Sequence, residues 1–209
     1  MVAIRLLGRT PSINVRKALW TLDEIGVPYV FDEWEVSPSA SRLGELARLN
    51  PNSMFPILVE AEGPLWESNS ICRYITAKAG RGDLLPEAHR ARAEVEHWMD
   101  WQATDLNDSW RYAFMALQRR KVEYSDTMLI RASSEAWNNK MTILDSHLGN
   151  HGPFATGDDF TLADIVLGLS VHRWLGTPME RPELDNVATY YKRLRTRPHF
   201  LKHASDKLI

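Results

Sequence analysis

The sequence is poor in the features that mark secreted, disulfide-stapled or membrane proteins. Its 209 residues include a single cysteine, Cys72, which excludes an internal disulfide and fits a reducing compartment. No apolar run approaches the roughly 20 residues of a membrane span, and the N-terminus lacks the apolar core of a secretory signal. We therefore expect a cytoplasmic protein without a membrane partner.

The sequence also has little excess charge and no set of metal ligands at a familiar spacing. The net charge is -2, and the acidic and basic residues are interspersed rather than gathered into a basic stripe. A phosphate backbone attracts clustered Lys and Arg, so we expect no nucleic-acid partner. The seven histidines have no cysteine pair to join at zinc spacing, so we expect no metal.

The first half of the chain alternates strand and helix patterns. Period-two alternation and β-branched runs mark strands, 3.6-residue periodicity marks helices, and Gly and Pro clusters separate them. The predicted order is β-α-β-α-β-β-α: a strand from residue 2 that is broken at Gly8, a helix over 15–25, a strand over 29–36, a short helix over 41–49, a hairpin of 57–59 with 65–67, and a helix over 68–78. This order allows a parallel core with an antiparallel hairpin at its edge.

Strand patterns vanish after residue 79. Residues 80–86 are the one stretch typical of a linker, so we predict an α/β domain over 1–79 and an all-helical domain over 87–209. The helical half carries an apolar stripe from Val95 to Leu117 and a second long helix over 125–148. Its sharpest signal is Thr161 with Asp164, which predicts a capping box at the start of a helix, with Phe160 stapled onto Ile165.

A proline opens the third strand, where it cannot donate to a β-ladder. Pro56 follows Phe55 and leads directly into the β-rich run that begins at Ile57. One role for such a proline is a cis peptide bond that turns the main chain of Phe55 toward a ligand. From the sequence this is a hypothesis about the Phe55–Pro56 bond.

Four motifs in this order resemble the cytosolic glutathione transferase family, and the resemblance covers nearly the whole chain. They are Ser12 before the first helix, Asn50-Pro51 through Phe55-Pro56, Glu67-Ser68, and Thr161-Leu162-Ala163-Asp164. The pattern is similar to the serine-type, bacterial and theta-like members. It implies a thioredoxin-like domain that binds glutathione as co-substrate, a helical domain with a pocket for a small hydrophobic electrophile, a detoxification role and a homodimer.

In the family a hydroxyl stabilises the glutathione thiolate, and the resemblance assigns that role to Ser12. Thr10 is the rival hydroxyl, and Asn14 is a candidate for an amide N–H to the same sulfur. The alternative interpretation of Ser12 is an ordinary helix cap. Residues 8–17 contain neither tyrosine nor cysteine, which disfavours the tyrosine-type and cysteine-type classes.

The resemblance places the rest of glutathione on the later motifs. It sets the Phe55 main chain, held by Pro56, against the cysteinyl residue of glutathione, and Glu67 with Ser68 against the γ-glutamyl end. Glu67 as a solvated hairpin charge is the alternative. Arg42 is a weaker candidate for the glycyl carboxylate, with a surface arginine as its alternative. Met54 stands where the family often has a basic or amide residue, which removes one usual contact.

The resemblance also suggests an electrophile pocket of Trp110, Arg111 and Phe114. Aromatic residues on a helical stripe are usually core, and Arg111 can equally face solvent. Two other functions stay open: a non-catalytic binding module on the same fold, and a glutathione-dependent isomerase, peroxidase or dehalogenase.

Overall fold

A computed structural model describes residues 4–35 and 37–205. The chain divides into two compact units between Leu85 and Pro86, inside the stretch predicted as a linker. Among the described residues, no helix is both long and apolar enough to cross a bilayer.

The first unit has the predicted order β-α-β-α-β-β-α. Its elements are β1 Ile4–Gly8, α1 Ile13–Ile25, β2 Tyr29–Glu33, α2 Ala40–Leu49, β3 Ile57–Glu60, β4 Gly63–Trp66 and α3 Ser68–Lys78. Several boundaries differ from the prediction by one to three residues, among them the ends of the first two strands. β1 continues through Gly8 because Gly8 still pairs with Glu33, and β2 ends at Glu33. Val2 and Val36, the predicted ends of these strands, lie outside the described residues.

The four strands form one sheet in the order β2-β1-β3-β4. Only β1 and β2 are parallel, while β3 is antiparallel to both β1 and β4, so the expected parallel core is a single pair of strands. Alternation divides the core between the two faces of the sheet. Leu6 and Leu58 pack with α1 and α3, whereas Leu7 and Ile57 pack with Trp34 and Leu46.

The second unit is helical throughout its named elements. They are α4 His89–Trp101, a π-helical segment Gln102–Leu106, α5 Asn107–Leu117, a short 3-10 turn Val122–Tyr124, α6 Thr127–His151, α7 Leu162–Gly176, α8 Asp185–Leu194 and α9 Pro198–His203. The π segment joins α4 to α5 without a break in the helical chain, which agrees with the single apolar stripe of the sequence.

The predicted capping box at the start of α7 is present. The fully buried carboxylate of Asp164 accepts hydrogen bonds from the backbone N–H of Thr161 at 2.8 Å, the backbone N–H of Ala155 at 2.8 Å and the hydroxyl of Tyr190 at 3.0 Å. Burial raises the pKa of Asp164 to about 6, against the hydrogen bonds that lower it. One side chain therefore joins the preceding loop, α7 and α8.

Replacing Asp164 should destabilise the fold strongly. Asp164→Ala removes the carboxylate that accepts from three buried donors, so we expect the free energy of unfolding to fall by about 3 to 5 kcal/mol at neutral pH, measured by denaturant titration. The exposed Asp159 of the same loop is the matched control, because Asp159→Ala removes a carboxylate from solvent. Similar losses in the two variants would contradict the role given to Asp164.

Candidate active site

Three segments that carry predicted site residues leave the sheet at the same edge. Leu7 pairs with Ile57, and Ile57 pairs with Trp66, so the end of β1, the start of β3 and the end of β4 are neighbours. The residues next outward are the β1–α1 turn, Phe55–Pro56 and Glu67–Ser68. The antiparallel register thus brings the segments at 9–12, 55–56 and 67–68 to one edge of the sheet.

Close packing at Gly8 sets where α1 begins on this edge. A Cβ at Gly8 would lie 2.6 and 2.7 Å from the two γ-carbons of Val15, which itself is fully buried. Real side chains do not approach so closely, so only glycine lets the first turn of α1 lie against the end of β1. The turn from Arg9 to Ser12 is short as a result.

Ser12 occupies the N-cap position of α1 without capping it. Its backbone is fixed, since its N–H donates to the carbonyl of Arg9 at 2.9 Å and its carbonyl accepts from the N–H of Arg16 at 3.0 Å. Its side chain makes no capping hydrogen bond, although the residue type favours one. The alternative interpretation of Ser12 as an ordinary cap is therefore not what the structure has. Ser12 is partly exposed at the N-terminus of α1, where the first backbone N–H groups have no acceptor within the helix.

The two rival donors are placed differently. The hydroxyl of Thr10 donates to Oε1 of Glu33, which also accepts the Thr10 backbone N–H at 3.3 Å. Thr10 is thus engaged within the protein. Asn14 lies in the first turn of α1 and is exposed.

Phe55–Pro56 is a cis peptide bond, as hypothesised from the sequence. The loop before it is held by the buried side chain of Asn50, whose amide donates to the carbonyl of Met54 at 2.9 Å and whose oxygen accepts from the N–H of Asn52 at 2.9 Å. The ring of Phe55 packs against Trp34 at 5.1 Å between centroids. Met54 is 63% exposed, so its side chain does little packing.

Glu67 and Ser68 form the start of α3. Glu67 is the N-cap residue, exposed and without a capping hydrogen bond, and its φ of 71° and ψ of 115° are rare for a residue with a side chain. Ser68 is the first helical residue and is buried. A non-glycine residue with positive φ costs about 1 to 3 kcal/mol, and such outliers cluster at binding sites.

The contacts of Arg42 are with residues outside the three segments described above. Its guanidinium forms ion pairs with Asp32 at 3.5 Å and Glu45 at 3.3 Å and stacks over the ring of Trp34 at 3.9 Å. The side chain is about one-third exposed. A role in binding a carboxylate stays a prediction and requires Arg42 to exchange one of these partners.

The three residues predicted to line the electrophile pocket lie in the second unit. Two of them are buried and in contact, and the third is mostly exposed. Trp110 and Phe114 are buried in edge contact at 5.3 Å, with the guanidinium of Arg173 over both rings. Arg111 is mostly exposed and lies 4.0 Å from Asp108. These are the contacts of a core pair and a surface arginine. Their place in a pocket stays a prediction.

Sequence reasoning missed several structural contributors. The sequence indicates Asn50 as part of a motif but not its hydrogen bonds within the loop, and no sequence pattern indicates the contact of Glu33 with Thr10. A cavity of about 350 Å³ in the second unit, lined by His97, Trp98, His147 and His151, was also missed, although His147 and His151 have the i, i+4 spacing of one helix face. Cys72 is fully buried, as predicted, and burial raises its pKa to about 11.

The family model, a curated relative and a solved structure name the same family. Residues 2–77 match the model of the glutathione S-transferase N-terminal domain. Glutathione S-transferase GstB of Escherichia coli K12 is 33% identical over 201 residues, which cover 93% of this chain and 94% of that protein. A theta class glutathione S-transferase from Xanthomonas axonopodis pv. citri, solved with glutathione bound, is 34% identical, with a TM-score of 0.89 and 98% coverage of both chains.

One relative belongs to a longer protein of a different kind. Elongation factor 1-gamma 2 of rice is 26% identical over 211 residues, which cover 98% of this chain and 49% of that protein. The present chain therefore spans about half the length of the rice protein.

The steric role of Gly8 can be tested by adding one methyl group. Gly8→Ala should lower the free energy of unfolding by about 1 to 3 kcal/mol, because α1 must shift to relieve the contact with Val15. The matched control is Gly44→Ala on α2, where a Cβ meets only a terminal nitrogen of Arg48 at 4.0 Å and a small stabilisation is expected.

Val15→Ala removes the two γ-carbons with which the Cβ added by Gly8→Ala would clash. The Gly8→Ala cost should shrink in that background, as compared by denaturant titration of the single and double variants. An equal cost in both backgrounds would remove the steric explanation.

Proposed function

The chain belongs to the glutathione S-transferase family, and we propose that it binds glutathione at the sheet edge, stabilises the glutathione thiolate through Ser12 and directs it onto an apolar electrophile. The observation that carries this proposal is the convergence of the Ser12 turn, Phe55–Pro56 and Glu67–Ser68 at one edge of the sheet. The uncapped hydroxyl of Ser12 supports the assignment of its role.

The chemistry requires the protein to favour a thiolate. A thiol such as that of glutathione has a pKa near 8.5, so the weakly nucleophilic thiol predominates at neutral pH. Ser12 supplies a hydroxyl donor, and the first N–H groups of α1 add the positive end of a helix dipole. Lowering the thiol pKa by about two units needs roughly 2.7 kcal/mol, which is the order of one hydrogen bond to a charged group plus a helix terminus.

The other two segments suit the peptide part of glutathione. The main chain of Phe55, next to the start of β3, can pair with the cysteinyl residue of glutathione as an added strand would. The carboxylate of Glu67 can accept from the γ-glutamyl ammonium group, and Ser68 at the start of α3 suits the adjacent carboxylate. The unusual backbone of Glu67 supports a binding role, since the fold gains no cap from it.

The remaining parts of the proposal concern the surroundings of this site. We propose a small hydrophobic electrophile, with Trp110, Arg111 and Phe114 as pocket candidates, a cytoplasmic homodimer and a role in detoxification. Glutathione-dependent isomerisation, peroxide reduction and dehalogenation use the same glutathione site and differ in the second substrate.

A second candidate function is a non-catalytic module. The specific observation that favours it is the relation to rice elongation factor 1-gamma, in which the similar region is part of a longer chain. The exposed Met54 adds a departure from the usual glutathione contacts. Glutathione binding with thiolate formation distinguishes the enzyme from such a module.

The central test is the thiolate itself. Wild-type protein saturated with glutathione should show thiolate absorbance at neutral pH and conjugate a generic aryl halide, and Ser12→Ala should lose about 20- to 100-fold of its kcat/KM. Ser146→Ala, at an exposed serine of α6, is the control. Full activity in Ser12→Ala would transfer the role to Thr10 or Asn14, and absence of glutathione binding by calorimetry would contradict the enzyme function.

The role of Glu67 has its own test. Glu67→Gln keeps the shape of the side chain but loses its charge, so the Kd for glutathione should rise about 10- to 100-fold in calorimetric titration. The exposed Glu62 in the β3–β4 turn is the matched control, and Glu62→Gln should leave the Kd unchanged. Equal effects of the two changes would indicate a general charge effect instead of a contact.

A further inference from the structure

Glu33, at the end of β2, holds the turn that carries Ser12. Resting on the function proposed above, we infer that Glu33 is a positioning residue: it fixes the β1–α1 turn through Thr10 and so places the Ser12 hydroxyl for the glutathione sulfur. None of the four motifs that carry the family resemblance includes Glu33.

The contacts come from the parallel pairing of the first two strands. Gly8 pairs with Glu33, so the end of β2 lies beside the turn that leads into α1. Oε1 of Glu33 accepts both the backbone N–H of Thr10, at 3.3 Å, and the Thr10 hydroxyl. The next residue, Trp34, donates its N–H to the carbonyl of Gly8 at 2.8 Å. Glu33, the last residue of β2, therefore holds the turn, and Trp34, the residue after it, holds the end of β1 that leads into the turn.

The same turn leaves Ser12 little freedom. Its N–H donates to the carbonyl of Arg9 at 2.9 Å, so the turn is closed between Arg9 and Ser12 with Thr10 inside it. Releasing Thr10 would loosen that closed turn. The Ser12 hydroxyl would then sample positions farther from the glutathione sulfur. A hydrogen bond between the two weakens steeply with such a displacement.

The charge of Glu33 acts in the opposite direction to its hydrogen bonds. A carboxylate near the thiolate disfavours it, although the exposure of Glu33 screens the effect. Positioning and charge therefore predict opposite results when Glu33 is replaced. If Glu33 positions Ser12, its removal lowers the thiolate fraction of bound glutathione; if only its charge matters, removal raises that fraction.

The test uses Glu33→Ala, Glu33→Gln, Thr10→Val and the double variant Glu33→Ala with Thr10→Val. Glu33→Ala should lower both the thiolate fraction and kcat about three- to tenfold, with the KM for glutathione little changed. Glu33→Gln retains an acceptor and should restore most of the loss. The double variant should be no worse than Glu33→Ala, because both changes remove the same contact. Glu35→Ala, at an exposed residue two positions on, is the control.

Amide hydrogen exchange separates this inference from the function on which it rests. Exchange at Thr10 and Ser12 should accelerate in Glu33→Ala whether or not glutathione is bound, since the contact belongs to the fold. Unchanged exchange, additive effects in the double variant, or a raised thiolate fraction in both Glu33 variants would overturn the positioning role. A wild-type protein that binds glutathione without forming thiolate would instead contradict the proposed function.

Discussion

The contact between Gly8 and Val15 is the constraint on which the geometry of the site depends. Because no side chain fits between the end of β1 and the first turn of α1, the helix starts within a few residues of the sheet edge. The first turn of α1 and Ser12 consequently follow directly on the end of β1, which pairs with the start of β3. A larger residue in place of Gly8 would displace the start of α1 and Ser12 together. The same position therefore determines the packing of α1 and the placement of Ser12.

Ser12 differs from the other N-cap residues of the described helices that have a capping type of side chain. Among the N-cap residues of the described helices, Ser39 and Asp126 accept backbone N–H groups, and Thr161 forms a capping box. Ser12 has a side chain of the same kind and does not cap its helix. A missing cap costs a helix about 1 kcal/mol, which a ligand that accepts those hydrogen bonds would offset.

The order of the elements and the short-range structural features can be predicted from the sequence. Thr161 with Asp164, the hairpin and α3 follow from patterns within a few residues of each other. The pairing of Gly8 with Glu33 depends on a contact made only in the folded chain, whereas the hydrogen bonds of Asn50 lie within four residues of it and form a local turn. That the Ser12 turn and Glu67–Ser68 follow strands ending at the same edge of the sheet is implied by the family resemblance alone, because register between distant strands cannot be derived from local periodicity.

The aromatic residues show why helical stripes are ambiguous. A stripe identifies which face of a helix is apolar, but the same face can line a core or a pocket. Trp110 and Phe114 are buried around the guanidinium of Arg173, a partner distant in sequence that no stripe indicates. An arginine stacked on two rings contributes cation–π attraction and holds both rings in place. The position of this buried pair is therefore set by α7 as much as by α5, which carries it.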